Sequence, residues 1–566
     1  MKRIFIIIII FCIPIFATAQ GDKKKMGEEQ VNVVKPFQPT LSDGYKISNQ
    51  AEIEQTPKDP PRMNYSVNAV KLPTVYEVAT IQSVKIKDET VPKLYHYLVK
   101  LGYGNYDMPL GELYLNSTRS KEYAAGAYLK HLSSGGKLPN VGPAGWSDNE
   151  MKAWGERYIN KETISANMDY LRNNFHFYGY NPDSIDVPKN QSKQTFNYFK
   201  LGGGIKSHFS DKSMITHDIN LSYSHFEDRF QANENTVVFD ANAQKNLSDK
   251  QWIKLNLNLD NTAGSMGNFV GGITPMFGFK QDAVTIEVGG RAELENINGL
   301  SSKIHFYPIA ELTAKLAGDF LKAYAGVDGK IIKNTFKTLS DENPYLNSNL
   351  TTGIYSDPKR PSYNTNNKKS IHLGIRGNLS NEITFNLRGK YSEIESEAFY
   401  INSWRIPGMY RYVTIYDNPT VTNIHLEIAY IKTEKLRLEL QGDYYHYIMS
   451  NELEPWQKPD FTSQFSMRYE VGKKVFLKGE IFLVGNRQTA DIDSVNNGFV
   501  PGNIFVTESG PKLKPYADVN FGIDYSYTKI LHFFMNLNNL GAVKYERWYR
   551  YPSQRFNVMA GLTYSF

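Results

Sequence analysis

Cysteine is nearly absent from this 566-residue chain, and the single one, Cys12, sits in an apolar N-terminal run from Ile4 to Phe16. Lys2 and Arg3 precede that run, and Ala17-Thr18-Ala19 follows it. A basic start, an apolar middle and a small-x-small end read as a secretory signal peptide over residues 1–19, with Ala17 and Ala19 as the cleavage-site residues. Ile10 and Phe11 do not make a lipoprotein processing box before Cys12. The mature chain is then exported without a thiol, which excludes disulfides and thiolate chemistry. Long hydrophobic runs are equally scarce. With a mean hydropathy of -0.45, nothing beyond the first twenty residues qualifies as a membrane-spanning helix. The 11 histidines are dispersed and form no His-Glu-x-x-His or other ligand spacing, so no metal site and no cofactor is expected. Concentrated charge is missing too. The 64 basic and 58 acidic residues are interspersed, the net charge is +6, and beyond Lys23-Lys24-Lys25 there is no basic patch to suggest a nucleic-acid partner. Gly202-Gly203-Gly204 lies within a strand pattern and lacks the helix that a phosphate loop needs, so it reads as room in a wall. No motif places two catalytic carboxylates together, and the chain reads as a non-enzyme.

What the chain does have is aromatic residues and period-two patterning. It carries 38 Tyr and 31 Phe, an excess that suits aromatic girdles at two lipid interfaces. In the last eleven residues Phe556, Val558, Ala560, Leu562, Tyr564 and Phe566 alternate with Asn557, Met559, Gly561, Thr563 and Ser565, which gives a strand one wholly apolar face. The same form recurs upstream. Ile253, Leu255, Leu257 and Leu259 stand against Lys254, Asn256, Asn258 and Asp260, and Ile371, Leu373 and Ile375 against His372, Gly374 and Arg376. By this alternation Glu427, Glu439, Glu480, Asp518 and Asp524, with Lys254, Arg376, Arg388, Arg437 and Lys478, share the polar face. No protein core accepts such charges unpaired, whereas a barrel with lipid outside and water inside accepts both faces.

Strand patterning begins near Leu94, which sets a barrel domain over residues 91–566. Tight polar turns are expected at Ser117–Ser120, Ser210–Lys212, Ser248–Lys250, Gly318-Asp319, Ser380–Glu382, Thr433–Lys435, Gly472–Lys474 and Thr528-Lys529, with two more around Arg172-Asn173 and Gln281-Asp282. Longer loops lie between them, about Ser133–Asn160, Lys333–Lys369, Glu393–Asn418, Ser450–Pro459, Asn486–Pro511 and Gly541–Ser553. Ten hairpins plus the first and last strands predict an all-β fold, a transmembrane antiparallel barrel of about 22 strands with both ends periplasmic. Residues 20–90 differ: Pro36, Pro39, Pro57, Pro60, Pro61 and Pro73 interrupt short β-prone runs such as Val31–Val34 and Val75–Val84. They read as a short, mostly extended periplasmic or lumenal segment.

Three resemblances follow from these residues. The spacing Gly561, Tyr564, Phe566 resembles the C-terminal signal read by the outer-membrane barrel assembly machinery, although that signal usually carries a polar residue where Met559 stands. Glu29-Gln30-Val31-Asn32-Val33-Val34 resembles a TonB box, with Val31, Val33 and Val34 as its strand. Asn536-Leu537-Asn538-Asn539-Leu540 with Tyr545, Pro552, Arg555 and the terminal strand resembles the end of a TonB-dependent receptor barrel, and Lys100 to Asn105 through Gly111 to Asn116 resembles the opening of one. The resemblance implies a protein of the outer membrane of a Gram-negative bacterium, in contact with its lipid and acting as a transporter, channel or receptor. The chain departs from that family at its N-terminus, where about seventy proline-rich residues stand in place of a folded plug, and this argues against TonB as a partner. The alternative is a structural or assembly subunit that binds other outer-membrane or surface proteins through its long loops. Trp146, Trp154, Tyr345, Tyr355, Trp404, Trp548 and Tyr549 are the loop aromatics that could bind something outside or belong to the girdle. A bore of this size needs closing, and the candidates are the residue 20–90 segment, inward-turned loops or a partner.

Overall fold

The computed structural model describes residues 93–209, 214–265, 267–348, 363–403, 410–433, 435–490 and 509–566. Ala17, Ala19, Val31, Val33 and Val34 lie outside the described residues, as do Tyr355 and Trp404. Within the described residues, twenty-two strands form one antiparallel sheet that closes on itself. The first eleven are β1 (Tyr97–Gly104), β2 (Met108–Asn116), β3 (Tyr123–Ser134), β4 (Trp146–Ile159), β5 (Glu162–His176), β6 (Lys193–Ser207), β7 (Ile215–Asp228), β8 (Asn233–Asn246), β9 (Gln251–Gly264), β10 (Asn268–Gln281) and β11 (Val284–Ile297). The ring continues with β12 (Lys303–Ala317), β13 (Leu321–Ile332), β14 (Thr365–Asn378) and β15 (Ile383–Glu395). A hairpin of β16 (Glu397–Ser403) and β17 (Arg411–Asp417) then interrupts it within a connection. The ring resumes with β18 (Thr420–Lys432), β19 (Leu436–Ile448), β20 (Phe461–Val471), β21 (Val475–Val484), β22 (Tyr516–Ser526) and β23 (Leu531–Asn538). A second small hairpin, β24 (Glu546–Trp548) with β25 (Tyr551–Pro552), precedes the last strand, β26 (Asn557–Ser565). Two short helices lie in connections, α1 (Lys189–Ser192) and α2 (Phe336–Glu342).

The expected alternation is what makes these segments strands. On β9 the exposed large apolar side chains are Ile253, Leu255 and Leu259, while Lys254 points the other way and pairs with Glu287 of β11. On β7 Ile219, Leu221 and Tyr223 are exposed, and on β14 Ile371, Leu373 and Ile375. A belt of exposed Leu, Ile, Phe and Tyr is stable against hydrocarbon and costly against water, so the outward wall is the lipid-facing one. Closure is antiparallel between β1 and β26, from Leu98↔Ser565 to Gly104↔Met559. Tyr97 and Phe566 complete the seam by exchanging backbone hydrogen bonds of 3.0 Å each way.

The two edges of the barrel differ. One edge carries ten short connections, of which Asn160, Asp282, Gly318, Thr433 and Gly472 adopt the left-handed backbone that tight hairpin turns require. The other carries the long loops. Two sequence expectations need correction. Arg172-Asn173 is no turn but lies within the β5 ladder, toward its C-terminal end and opposite Asn149 and Asp148, and the turn lies at 160–161. The stretch Ser133–Asn160 is not a loop either, because β3 and β4 extend well beyond the apolar belt and leave only 135–145 as connection. Gly202 and Gly204 do give room in the wall: a Cβ there would stand 2.5 Å from Asn167 Oδ1 and 2.3 Å from Asn220 Oδ1.

Candidate functional site

The largest buried apolar cluster lies in the loops rather than within the barrel wall. Phe336, Leu339 and Leu346 from the connection 333–364, Ala398, Tyr400 and Tyr412 from 396–419, and Trp548 and Tyr551 from 539–556 pack with Phe196 and Phe226 of β6 and β7. The Tyr345 and Tyr551 rings stack at 3.6 Å, and Tyr178 meets both edge-on at 5.9 and 5.0 Å. Trp548 is edge-on to Tyr400 and to Tyr412, each at 5.4 Å. A second cluster joins Phe399, Ile401 and Ile415 of the β16–β17 hairpin to Trp456 and Ala490 from two further loops. Burial pushes the Tyr178, Tyr345 and Tyr551 phenols above their usual range, so they serve as neutral donors. Tyr178 accordingly donates to the Pro552 carbonyl at 3.0 Å, and Tyr551 to that of Tyr410.

These contacts bridge the bore. The connections after β5 and after β13 are eight strands apart in the ring, yet Tyr178 and Tyr345 touch. Arg411, from the connection after β15, lies 4.5 Å from the Phe177 ring and 4.3 Å from that of Phe230, in the connections after β5 and β7. A 22-stranded ring is roughly 40 Å across, from strand spacing and tilt. Residues on distant parts of such a ring meet only by crossing its mouth, so the loops form a cap over the bore.

The cap is fastened to the inner wall. Glu234 projects inward from the start of β8, is almost fully buried, and accepts hydrogen bonds from Phe336 N at 2.6 Å and Lys337 N at 3.0 Å. A carboxylate against the free N–H groups of the first turn holds α2 in place. Lys333, one turn earlier, pairs with Asp260 of β9 and donates to Thr262 Oγ1 at 2.8 Å. At the other end of α2, Glu342 takes Lys458 at 2.5 Å and the Tyr400 hydroxyl at 2.8 Å. Burial works against the Lys458 charge, and Glu342 with Glu397 reverses this to a net rise in its pKa. Asp417 at the end of β17 accepts from the backbone N–H groups of Ser450, Asn451 and Glu452, at 3.0, 3.0 and 3.1 Å.

Below the cap the inner wall is polar, as the sequence implied. Arg437 pairs with Glu439, Lys478 with Asp524 at 2.5 Å, and His425 with Glu427 at 3.1 Å, while the Tyr545 hydroxyl donates to Asp518 at 2.6 Å. Among the described residues no group of three or more His, Asp and Glu gathers in metal-binding geometry.

Of the residues named from sequence, Tyr564 and Phe566 face outward on β26, and Phe566 stacks on Tyr97 at 5.1 Å. Gly561 faces inward opposite Gly102, and a Cβ on it would stand 2.0 Å from the Leu101 carbonyl and 2.6 Å from the Phe534 ring. The glycine pair therefore makes room for Phe534 at the closing seam. The loop aromatics behave otherwise than expected. Tyr345 and Trp548 turn into the cap instead of outward, and Trp146 and Trp154 belong to β4. The cap-to-wall contacts through Glu234 and Lys333 were not foreseen, and nothing local in the sequence marks Glu234, because its partners lie about a hundred residues away.

No family model matches this chain, and no curated protein matches its sequence. Solved structures match its fold. The FrpB iron transporter from Neisseria meningitidis superposes with a TM-score of 0.61 over 84% of this chain and 82% of its own, at 9% identity. The pyoverdine outer membrane receptor FpvA from Pseudomonas aeruginosa gives 0.62 over 84% and 79%, at 11% identity. The copper transporter OprC gives 0.58 over 84% and 81%, at 10% identity. At such identities the likeness is one of fold: this chain shares the closed antiparallel barrel of these outer-membrane proteins.

Proposed function

We propose that this protein is an outer-membrane receptor-transporter whose bore is gated from outside by its interlocked loops. The observation that carries this reading is the cap itself, in which loops from distant parts of the ring share one aromatic core and are tied to the inner wall by Glu234 and Lys333. The matched structures are named as an iron transporter, a pyoverdine receptor and a copper transporter, and the same role extends to this chain through its fold. A ligand that binds the outer surface and contacts the loops shifts the cap toward an opened state to the extent that it prefers that state. The protein reaches the outer membrane of a Gram-negative bacterium through its signal peptide, and the assembly machinery reads Gly561, Tyr564 and Phe566. The run at Val31, Val33 and Val34 carries no part of this reading, nor does TonB. A purely structural platform has no use for loops fastened to the inner wall, so that alternative is not carried forward.

The test is a cap freed from the wall. Cells carrying Glu234→Ala with Lys333→Ala become sensitive to vancomycin, too large for an intact outer membrane, while the folded, heat-modifiable barrel stays at its normal level. Unchanged sensitivity at normal barrel level contradicts the gate.

A further inference from the structure

The inner wall treats its cations in two ways. Lys254 faces Glu287, Lys206 faces Asp218 at 3.2 Å, and Lys478 faces Asp524 at 2.5 Å. On β14 and β15 this pattern stops. Arg376, Arg388 and Lys390 all lie on the lumen side, because the exposed Leu373, Ile375, Leu387 and Tyr391 take the lipid side of the same strands. Arg376 stands opposite Asn386, two residues from Arg388, which is in turn two residues from Lys390. Arg388 is therefore a near neighbour of both others, about 7 Å from each along the pleat, while Arg376 and Lys390 flank it about 14 Å from each other.

Most of the carboxylates around them are already engaged; the exception is Asp328 of β13, whose charge reaches Lys390 without an ion pair. Glu311 takes His372 at 2.9 Å, and Asp443 takes His425 Nδ1 at 2.9 Å. Glu427 takes His425 Nε2 at 3.1 Å and accepts from Asn386 at 3.4 Å. Among the described residues no carboxylate forms an ion pair with Arg376, Arg388 or Lys390, and Arg388 Nε is buried without a hydrogen-bond partner. The Arg376 guanidinium is instead held over the Tyr324 ring at 5.4 Å, and the Tyr324 hydroxyl donates to Asn386 at 2.7 Å. Gly374, opposite Arg388, leaves the space into which Tyr324 leans: a Cβ there would stand 2.5 Å from its ring. Neighbouring cations repel one another, and a donor buried without an acceptor is costly, so Arg376 and Arg388 as they stand lack a counter-anion, while Asp328 offsets part of the Lys390 charge.

We propose that Arg376, Arg388 and Lys390 form a lumen site for a small solute bearing several carboxylate or phosphate groups. The guanidinium of Arg388 supplies the planar fork that such a group takes in bidentate fashion, Lys390 adds a point charge, and Arg376, fixed on Tyr324, closes the third side. The inference deepens the receptor reading by naming the chemistry of the solute, and it is tested by binding alone.

The test is isothermal titration of the purified full-length protein in detergent with pyrophosphate and, separately, with citrate. At least one of them binds saturably, and Arg388→Gln and Lys390→Gln each weaken that binding about tenfold or more. Lys254→Gln, which removes one lumen charge elsewhere, leaves it within about twofold. Binding of pyrophosphate alone assigns a phosphate ligand, and of citrate alone a carboxylate one. Two results overturn the site: neither probe binds, or all three substitutions weaken binding equally, which is diffuse attraction by the lumen. Either leaves the vancomycin result untouched, so a failed site and a failed gate are told apart.

Discussion

Tyr345 and Tyr551 lie ring on ring, 3.6 Å between centroids and 16° from parallel, although one follows α2 and the other belongs to the hairpin before the last strand. Tyr551 is buried and Tyr345 half-buried, and Tyr178 packs edge-on against the pair. Removing Tyr551 leaves a cavity beneath three loops at once. Tyr551→Ala is expected to destabilise the closed cap by roughly 3 kcal/mol, the usual scale for a large aromatic cut to alanine in a core. Limited proteolysis checks it: the loops around Tyr345 and Tyr412 are nicked faster while the barrel strands stay resistant. Equal resistance of all loops would mean that the stack does not hold them.

Acid should loosen one anchor selectively. Burial alone would raise the Asp417 pKa, but the backbone N–H groups of Asn451, Asn418 and Glu452 outweigh it and hold the carboxyl below its usual value. A carboxyl depressed in this way lends stability above its unfolded pKa of about 3.9 and loses it as pH falls through the lower folded value. Protease sensitivity of the loop 449–460 is therefore flat at neutral pH and rises below about pH 4. In Asp417→Asn, which strands buried donors at a cost of roughly 1–3 kcal/mol, it is already high at pH 7. A variant with the parent's profile would show that Asp417 does not anchor that loop.

The seam offers a steric prediction. Gly561→Ala puts a methyl group 2.0 Å from the Leu101 carbonyl, where the neighbouring atoms are backbone and cannot yield cheaply. Gly155→Ala on β4 meets nothing within 4 Å. On unboiled gels the first is expected to lose most of its fast-migrating folded band and the second to keep it. Equal bands from both would separate Gly561 from barrel closure.

The wall was legible in the sequence because lipid and water impose opposite demands on alternate residues. Ile253 through Asp260 shows both demands within one strand, and the short turns are marked by residues such as Asp282 and Gly472 that accept a left-handed backbone. Legibility ended where the strands leave the lipid. In β3, β4 and β5 the outward residues above the belt are His131, Asn149 and Arg172, hydrogen-bonding one another instead of facing hydrocarbon, so the apolar period disappears although the ladder continues. The cap was hidden for another reason. Its contacts join residues distant in sequence, such as Glu234 with Phe336 or Tyr178 with Tyr345, and no local pattern encodes a long-range packing partner. The aromatic richness of the loops was visible, but its inward direction was not.

The loops, bound to one another across the ring, keep the bore shut. Planar-bilayer recording tests this most directly, comparing the full-length protein with a form in which residues 335–347 are replaced by a short Gly-Ser linker. That replacement removes α2, Tyr345 and the acceptor side of the Glu342 anchor together, while β13 and β14 keep their ladder. The full-length protein is expected to be silent or to flicker rarely, and the replaced form to show a steady, large conductance. A replaced form as tight as the full-length protein, with its barrel folded, would contradict closure by the loops.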